Sequence, residues 1–344
     1  QIVNHILDNL TARGNMDPLS QGVLGASASQ SFASAPGKQR SALLVGLLAG
    51  IAPDLDIFIR SANDPLLFLD FHRQFTHSLF FIPVGALLCT LILYPLLRRT
   101  LTFSTTYLYA FLGYATHGLL DGCTSYGTQL FWPVSNVRIS WNVVSIIDPL
   151  FTLPVLILVC VAFARKQARY ARYALAYALI YLSLGIVQRE RAESVAQALA
   201  EERGHIPTRL TVKPTIGNRH LWRLIYEYEG HYYIDAATVG WNEIPIRGAS
   251  IAKLDVASDY PWLPPDSTQA RDIERFRWFS DGFVARNPDN HLMIMDVRYS
   301  LVPNELAPLW VIQLKPEEPS QHVDYLNTRD LTPESRQRFL DMLI

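Results

Sequence analysis

The chain has few of the features that mark secreted, disulfide-bonded or nucleic-acid-binding proteins. Its three cysteines, Cys89, Cys123 and Cys160, lie in or beside apolar runs without paired spacing. That argues against a disulfide framework and against a cysteine-type zinc site. With 30 Lys and Arg against 31 Asp and Glu, the net charge is -1. No basic block exceeds a few residues, so the electrostatic footprint of a nucleic-acid partner is missing. There is no internal repeat and no low-complexity stretch. Residues 1–15 lack the apolar core and small-residue cleavage site of a signal peptide; Met16-Asp17 reads as a natural start, and residues 1–16 as an extension, with a short amphipathic helix as the alternative.

What the chain does have is apolar sequence, unevenly spread. Hydrophobic residues make up 49% of 344, on the greasy side for a water-soluble enzyme. Long apolar runs fill the first half, whereas charge, Trp, Tyr and Pro return to ordinary proportions after about Gln188. The expected organisation is a polytopic α-helical membrane domain over 17–188, with about six helices, followed by a β-rich soluble domain over 189–344.

The expected spans run over about 17–35, 41–59, 76–97, 103–121, 143–164 and 173–187. Small residues in the first, among them Gly22, Gly25 and Ser29, suit close packing inside a bundle. The turns after spans one, three and five carry Lys38, Arg40, Arg98, Arg99, Arg165, Lys166, Arg169 and Arg172. The opposite loops carry Arg60, Arg73 and Arg138, offset by Asp64 and Asp70. The positive-inside rule then places the first set in the cytoplasm and the C-terminal domain outside it. A polar helix is expected over Glu190–Glu202, and short alternating runs from Ile206 to about Leu314 read as mostly antiparallel strands.

Three charged clusters interrupt the apolar half between Ala52 and Asp121. They are Pro53-Asp54-Leu55-Asp56, His72-Arg73-Gln74-Phe75-Thr76-His77-Ser78 and His117-Gly118-Leu119-Leu120-Asp121. Carboxylates and imidazoles beside lipid-facing sequence are costly unless they pair or bind a cation. In the topology derived from hydropathy and Lys/Arg alone, all three fall at the outer ends of their helices, with Gln21 and Asp148, which points to one shared site. His117 and Asp121, four apart on a helix, share a face; a buried His bonded to a carboxylate is the plain alternative. Pro53 breaks the helical ladder, which lets Asp54 and Asp56 face one centre, unless Asp54 merely caps a solvated helix end. His72 is expected on the approach to the third span and His77 in its first turn.

Together these residues offer three imidazoles and three carboxylates as metal ligands: Asp54, Asp56, His72, His77, His117 and Asp121. The mixed N/O set suits Zn²⁺ or Mn²⁺, with donors enough for one or two ions. Such an ion makes hydroxide available near neutral pH, so hydrolysis is the chemistry expected. Arg73 is the candidate for holding a phosphate oxygen or a developing negative charge, or else a headgroup-facing anchor. Asp148 is a candidate to orient a ligand histidine, or else a helix cap. Gln21 and Tyr126 are weaker candidates for contacts around the site.

Read together with Asp-Pro-Leu-Ser-Gln at 17–21 and Tyr-Gly-Thr-Gln-Leu-Phe-Trp-Pro at 126–133, these motifs resemble the bacterial inner-membrane metal-dependent hydrolase family related to YdjM. The resemblance covers the whole membrane half, and stretches around Leu221-Trp222-Arg223 and Asp296 to Tyr299 look like the extension of its longer members. It implies a metal site at the same six residues and hydrolase activity. Many relatives carry His where this chain has Gln21. The His-x-x-x-Asp element is also similar to zinc-dependent phospholipase C and P1 nuclease, which turns the expected substrate toward a phosphoester of a lipid or lipid-linked molecule. The partners expected are therefore membrane lipids and that substrate, at the outer face of the inner membrane. Rival readings are an intramembrane metallopeptidase, which lacks His-Glu-x-x-His here, an ion or metal transporter, which needs a polar path through mostly apolar inner halves, and purely structural clusters.

Overall fold

The computed structural model describes residues 17–343; the reading of residues 1–16 as an extension lies outside them. The described residues divide into two compact units, one of residues 17–57, 72–186 and 216–218 and one of 58–71, 187–215 and 219–343.

The first unit is helical. α1 (Pro18–Ser31) starts on an Asp17 cap that accepts from Leu19 N–H, with proline in the first turn, and Ser20 through Ser31 are all buried. α2 (Gln39–Ile51) continues as a tighter 3₁₀ segment over Ala52–Phe58, where Pro53 removes a backbone donor. Another 3₁₀ turn (Phe75–His77) precedes α4 (Ile82–Leu97), and α5 spans Phe103–Cys123. α6 covers Pro149–Arg165 and α7 runs unbroken over Ala168–Glu202. α1, α2 and α5 meet where only glycine fits. A Cβ on Gly25 would lie 2.5 Å from the Gly46 carbonyl oxygen, and one on Gly113 would lie 2.6 Å from the same atom. On α4, Ile92 and Leu96 are 71% and 79% exposed, an apolar surface that suits lipid rather than water.

Each of the six apolar stretches forms helix, but not each has the dimensions of a span. Gln39–Phe58 and Ala168–Glu202 are long and apolar enough to cross a membrane, and Leu67–His77 with Ile82–Leu97, bent by 87°, makes a third if taken as one. The third stretch departs from its expected course: helix begins at Ile82 rather than at Thr76, because 75–77 close a 3₁₀ turn and Pro83 sits in the first helical turn. At the other end of the unit no break separates the last span from the polar helix expected after it. Val187-Gln188-Arg189-Glu190 contains neither Gly nor Pro, so α7 carries on.

The second unit holds two four-stranded antiparallel sheets. β1 (Arg209–Pro214), β2 (Leu221–Tyr228), β3 (His231–Val239) and β4 (Glu243–Ala252) pair in sequence order, as do β5 (Val284–Arg286), β6 (Met293–Asp296), β7 (Trp310–Gln313) and β8 (Asp324–Asn327). The last turns of α7 pack Ala192, Val195 and Leu199 against Trp222 and Leu224 of the first sheet. Ile225 and Ile234 pack on Ala285, Met295 and Val311 of the second. Residues Phe58–Phe71, which lie between Asp56 and His72, belong to this unit too. Within it α3 (Leu67–Phe71) packs, through Leu69 and the neighbouring Leu66, on Ile273 and Phe276 of α9 (Thr268–Phe279), which follows the short α8 (Val256–Asp259).

Candidate metal centre

The site is built where three elements of the first unit end or bend. The 3₁₀ continuation of α2 supplies Asp54 and Asp56, the turn before α4 supplies His77, and the last turns of α5 supply His117 and Asp121. Gly118 lets α5 approach that turn: a Cβ there would lie 2.2 Å from the His77 carbonyl oxygen. Asp54, His77, His117 and Asp121 are all buried, and one ligand atom of each lies within 4.8 Å of the others.

The histidine tautomers follow from what surrounds them. His117 Nδ1 lies 2.6 Å from the Gly50 carbonyl oxygen. A carbonyl only accepts, so His117 Nδ1 carries the proton. His77 Nδ1 lies 3.2 Å from Asp56 Oδ2 and 3.0 Å from Thr76 Oγ1, and the Thr76 hydroxyl donates to the same Asp56 oxygen at 2.7 Å. His77 Nδ1 is therefore also a donor. In neutral rings both Nε2 atoms are left with lone pairs, and they lie 2.9 Å apart.

Carboxylate oxygens close around the same point. Asp54 Oδ1 is 3.4 Å from each Nε2, and Asp121 Oδ2 is 3.2 Å from His77 Nε2 and 3.9 Å from that of His117. Both Asp54 oxygens and Asp121 Oδ2 are buried without a hydrogen-bond partner among the described residues. Four acceptors facing one another with no donor between them call for a cation or for an imidazolium. Their separations scatter about the edge of ~3.3 Å expected of a tetrahedron with metal–ligand bonds of about 2.0–2.1 Å. The residues present thus fit a single divalent ion held by two nitrogens and two oxygens.

Around these four, other groups fix orientation. Gln21 Nε2 donates to Asp121 Oδ1 at 2.7 Å, which turns Oδ2 toward the histidines. Asp56 is occupied on every side: by His72 Nδ1 at 2.7 Å, Thr76 Oγ1 at 2.7 Å and the Arg73 N–H at 3.1 Å. Asp56 forms a second group with Asp54 and His72. His72 Nε2 is buried without a hydrogen-bond partner among the described residues.

Arg73 sits fully inside. Its φ of 65° is left-handed, a conformation that costs a non-glycine residue about 1–2 kcal/mol. It is held there by the bond from its N–H to Asp56 and by the Gln129 N–H, which donates to its carbonyl at 2.9 Å. Nε lies 3.2 Å from Asp121 Oδ2, Nη1 donates to Thr124 Oγ1 at 3.2 Å, and the guanidinium lies over Tyr126. Nη2 has no hydrogen-bond partner among the described residues. The headgroup-anchor alternative for Arg73 does not suit a side chain that is 1% exposed.

Asp148 is a member of neither group. It caps α6, accepting from the N–H groups of Leu150 and Phe151, and it accepts from Tyr181 Oη at 2.7 Å. Thr76, Thr124 and the Gly50 carbonyl are contributors that the sequence did not single out for these contacts. Single hydroxyls and backbone oxygens have no pattern that would reveal them.

An α-helical membrane protein with a buried Asp/His cluster able to hold a metal ion is thus what fold and site define. More narrowly, the chain belongs to the YdjM inner membrane protein family, whose profile matches residues 16–192. No curated protein and no solved structure matches the chain.

Proposed function

We propose that the protein is a membrane-embedded metal-dependent hydrolase that acts at the outer face of the membrane on a phosphoester of a lipid or lipid-linked molecule. The observation that carries this reading is the convergence of four buried acceptors, Asp54, His77, His117 and Asp121, beside a buried guanidinium with one unpartnered N–H₂. A zinc or manganese ion held there, with a second ion as the alternative involving Asp56 and His72, supplies Lewis acidity and a lowered pKa for bound water. Arg73 holds anionic oxygens of the substrate through Nη2, while Asp121 and Thr124 fix the plane of its guanidinium. Gln21 and Asp56 keep Asp121 and His77 in register, and Asp148 caps helix α6 and holds it to Tyr181 of α7.

In this reading all six helical stretches lie in the bilayer, the shorter ones shielded by their neighbours. The turns bearing Lys38, Arg40, Arg98, Arg99 and Arg165 face the cytoplasm, and the second unit is extracytoplasmic.

Elemental analysis of detergent-purified protein tests the proposal. About one or two equivalents of zinc or manganese are expected in the wild type and none in folded His117→Ala or Asp121→Ala. Arg73→Ala should keep its metal and lose phosphodiesterase activity by about 100-fold or more. Absence of metal after reconstitution would remove the basis for the chemistry.

One observation favours a second reading, in which the ion is carried rather than used. Along α1, Ser27 Oγ and both side-chain polar atoms of Gln30 are buried without hydrogen-bond partners among the described residues, where an apolar interior had been expected. Uptake of ⁶⁵Zn by proteoliposomes, abolished by Asp54→Ala, would support that reading over hydrolysis.

A further inference from the structure

Residues Phe58–Phe71 form a strap that leaves the first unit between two sets of site residues and folds as part of the second. Asp56 lies two residues before it and His72 immediately follows it. The bond between them, His72 Nδ1 to Asp56 Oδ1 at 2.7 Å, closes the loop at its base. One side chain holds it both at its middle, at Asp64, and beside its second end, at Asp70. Arg275 on α9 pairs through Nη1 and Nη2 with the two oxygens of Asp64, each at 3.0 Å. It places Nε and Nη2 on Asp70 Oδ2 at 3.1 and 2.6 Å, and Nη1 on Asp272 at 3.0 Å. Leu66 and Leu69, 0% and 4% exposed, anchor the same strap in the core of the second unit.

We propose that Arg275 is a positioning residue for the metal centre, all of whose residues lie far before it in the chain, and that it acts by holding the strap whose two ends set Asp56 and His72-Arg73. The physical reason is loop closure. A strap tethered at its middle and beside its second end restricts the conformations open to both ends, and Arg73 occupies a backbone conformation that persists only where its surroundings over-determine it. The second unit thereby gains a role, since whatever displaces Arg275 from Asp64 and Asp70 loosens the bonds of Asp56 that orient His77. The proposal rests on the metal reading above, and its test separates the two.

Full-length protein in detergent is titrated with Zn²⁺ against a chelator of known affinity, with hydrogen exchange followed in parallel. Arg275→Ala should bind the same number of ions about 10-fold more weakly, with faster exchange at the amides of 72–78. Arg275→Lys, which keeps the charge but not the fork, should fall between it and the wild type. Arg277→Ala, on the same helix and paired with Glu274, should match the wild type. Asp64→Asn/Asp70→Asn leaves Arg275 its bond to Asp272 and the leucines in place, and should reproduce Arg275→Ala; it decides the matter where Arg275→Ala loses the protection of β2 and β3. Wild-type affinity in both of these variants would overturn the positioning role and leave the metal reading standing. No zinc binding by the wild type would overturn both.

Discussion

Asp54 and Asp56 are two residues apart and do different work. Asp54 keeps both oxygens free of hydrogen bonds among the described residues, with Oδ1 3.4 Å from each histidine Nε2, while Asp56 bonds to His72, Thr76 and the Arg73 N–H and orients them. Asp54→Ala should therefore abolish metal binding. Asp56→Asn retains one acceptor and should leave the stoichiometry intact while weakening affinity about 10- to 100-fold, as measured by chelator competition. Equal loss in both would make Asp56 a ligand on the same footing as Asp54. The sequence disclosed the membership of this group through residue type alone, because ionisable side chains in apolar sequence are rare. The division of labour depended on the 3₁₀ turn at Pro53 and on which oxygen meets which ring nitrogen, and neither leaves a mark in spacing. Asp148 shows the converse: an acidic residue before Pro149 in greasy sequence looks like a site residue, and its side chain caps a helix and meets Tyr181.

At the level of elements, helices were legible wherever apolar length decided them, and so was the antiparallel pairing of β1 to β4, whose strands alternate and follow one another. Less legible were the bent entry to α4 and the unbroken course of α7, where one proline or its absence outweighs composition. β1 carries a second surprise. Lys213 is buried over the Tyr299 ring, and burial, together with the nearby Arg298 charge, lowers its pKa to about 7 against a weaker opposing pull from Asp296. Between pH ~7 and its unfolded value of about 10.4, the unfolded chain binds this proton and the folded chain does not, so stability rises with pH across that window. Below it the full cost of burying the charge applies. Lys213→Met should stabilise the protein at pH 7 by a few kcal/mol, ~2–4, with the advantage shrinking toward pH 10. Thermal melts of both proteins at the two pH values check this, and an advantage independent of pH would assign the effect to packing instead.

On the scale of the whole molecule, order along the chain and membership of a folded unit part company at the strap. Asp64 and Asp70 read only as charges in a loop between spans, and Leu66 and Leu69 carry no signal there, because the groups that complete them, Arg275 and the core around Phe276, come some two hundred residues later. Long-range pairing of this kind has no local signature. It also ties the proposed topology together, because a strap between spans two and three and a unit that follows span six can fold as one only if both emerge on the same side of the membrane. An even number of crossings separates them when the six helical stretches all span, and the basic turns then lie opposite. Reporter fusions should accordingly be cytoplasmic at Arg99 and extracytoplasmic after Arg191. A periplasmic signal at Arg99 would reverse the orientation. A fusion after Arg191 on the opposite side from one at Ser61 would remove a crossing from the count and be incompatible with the strap's place in the second unit.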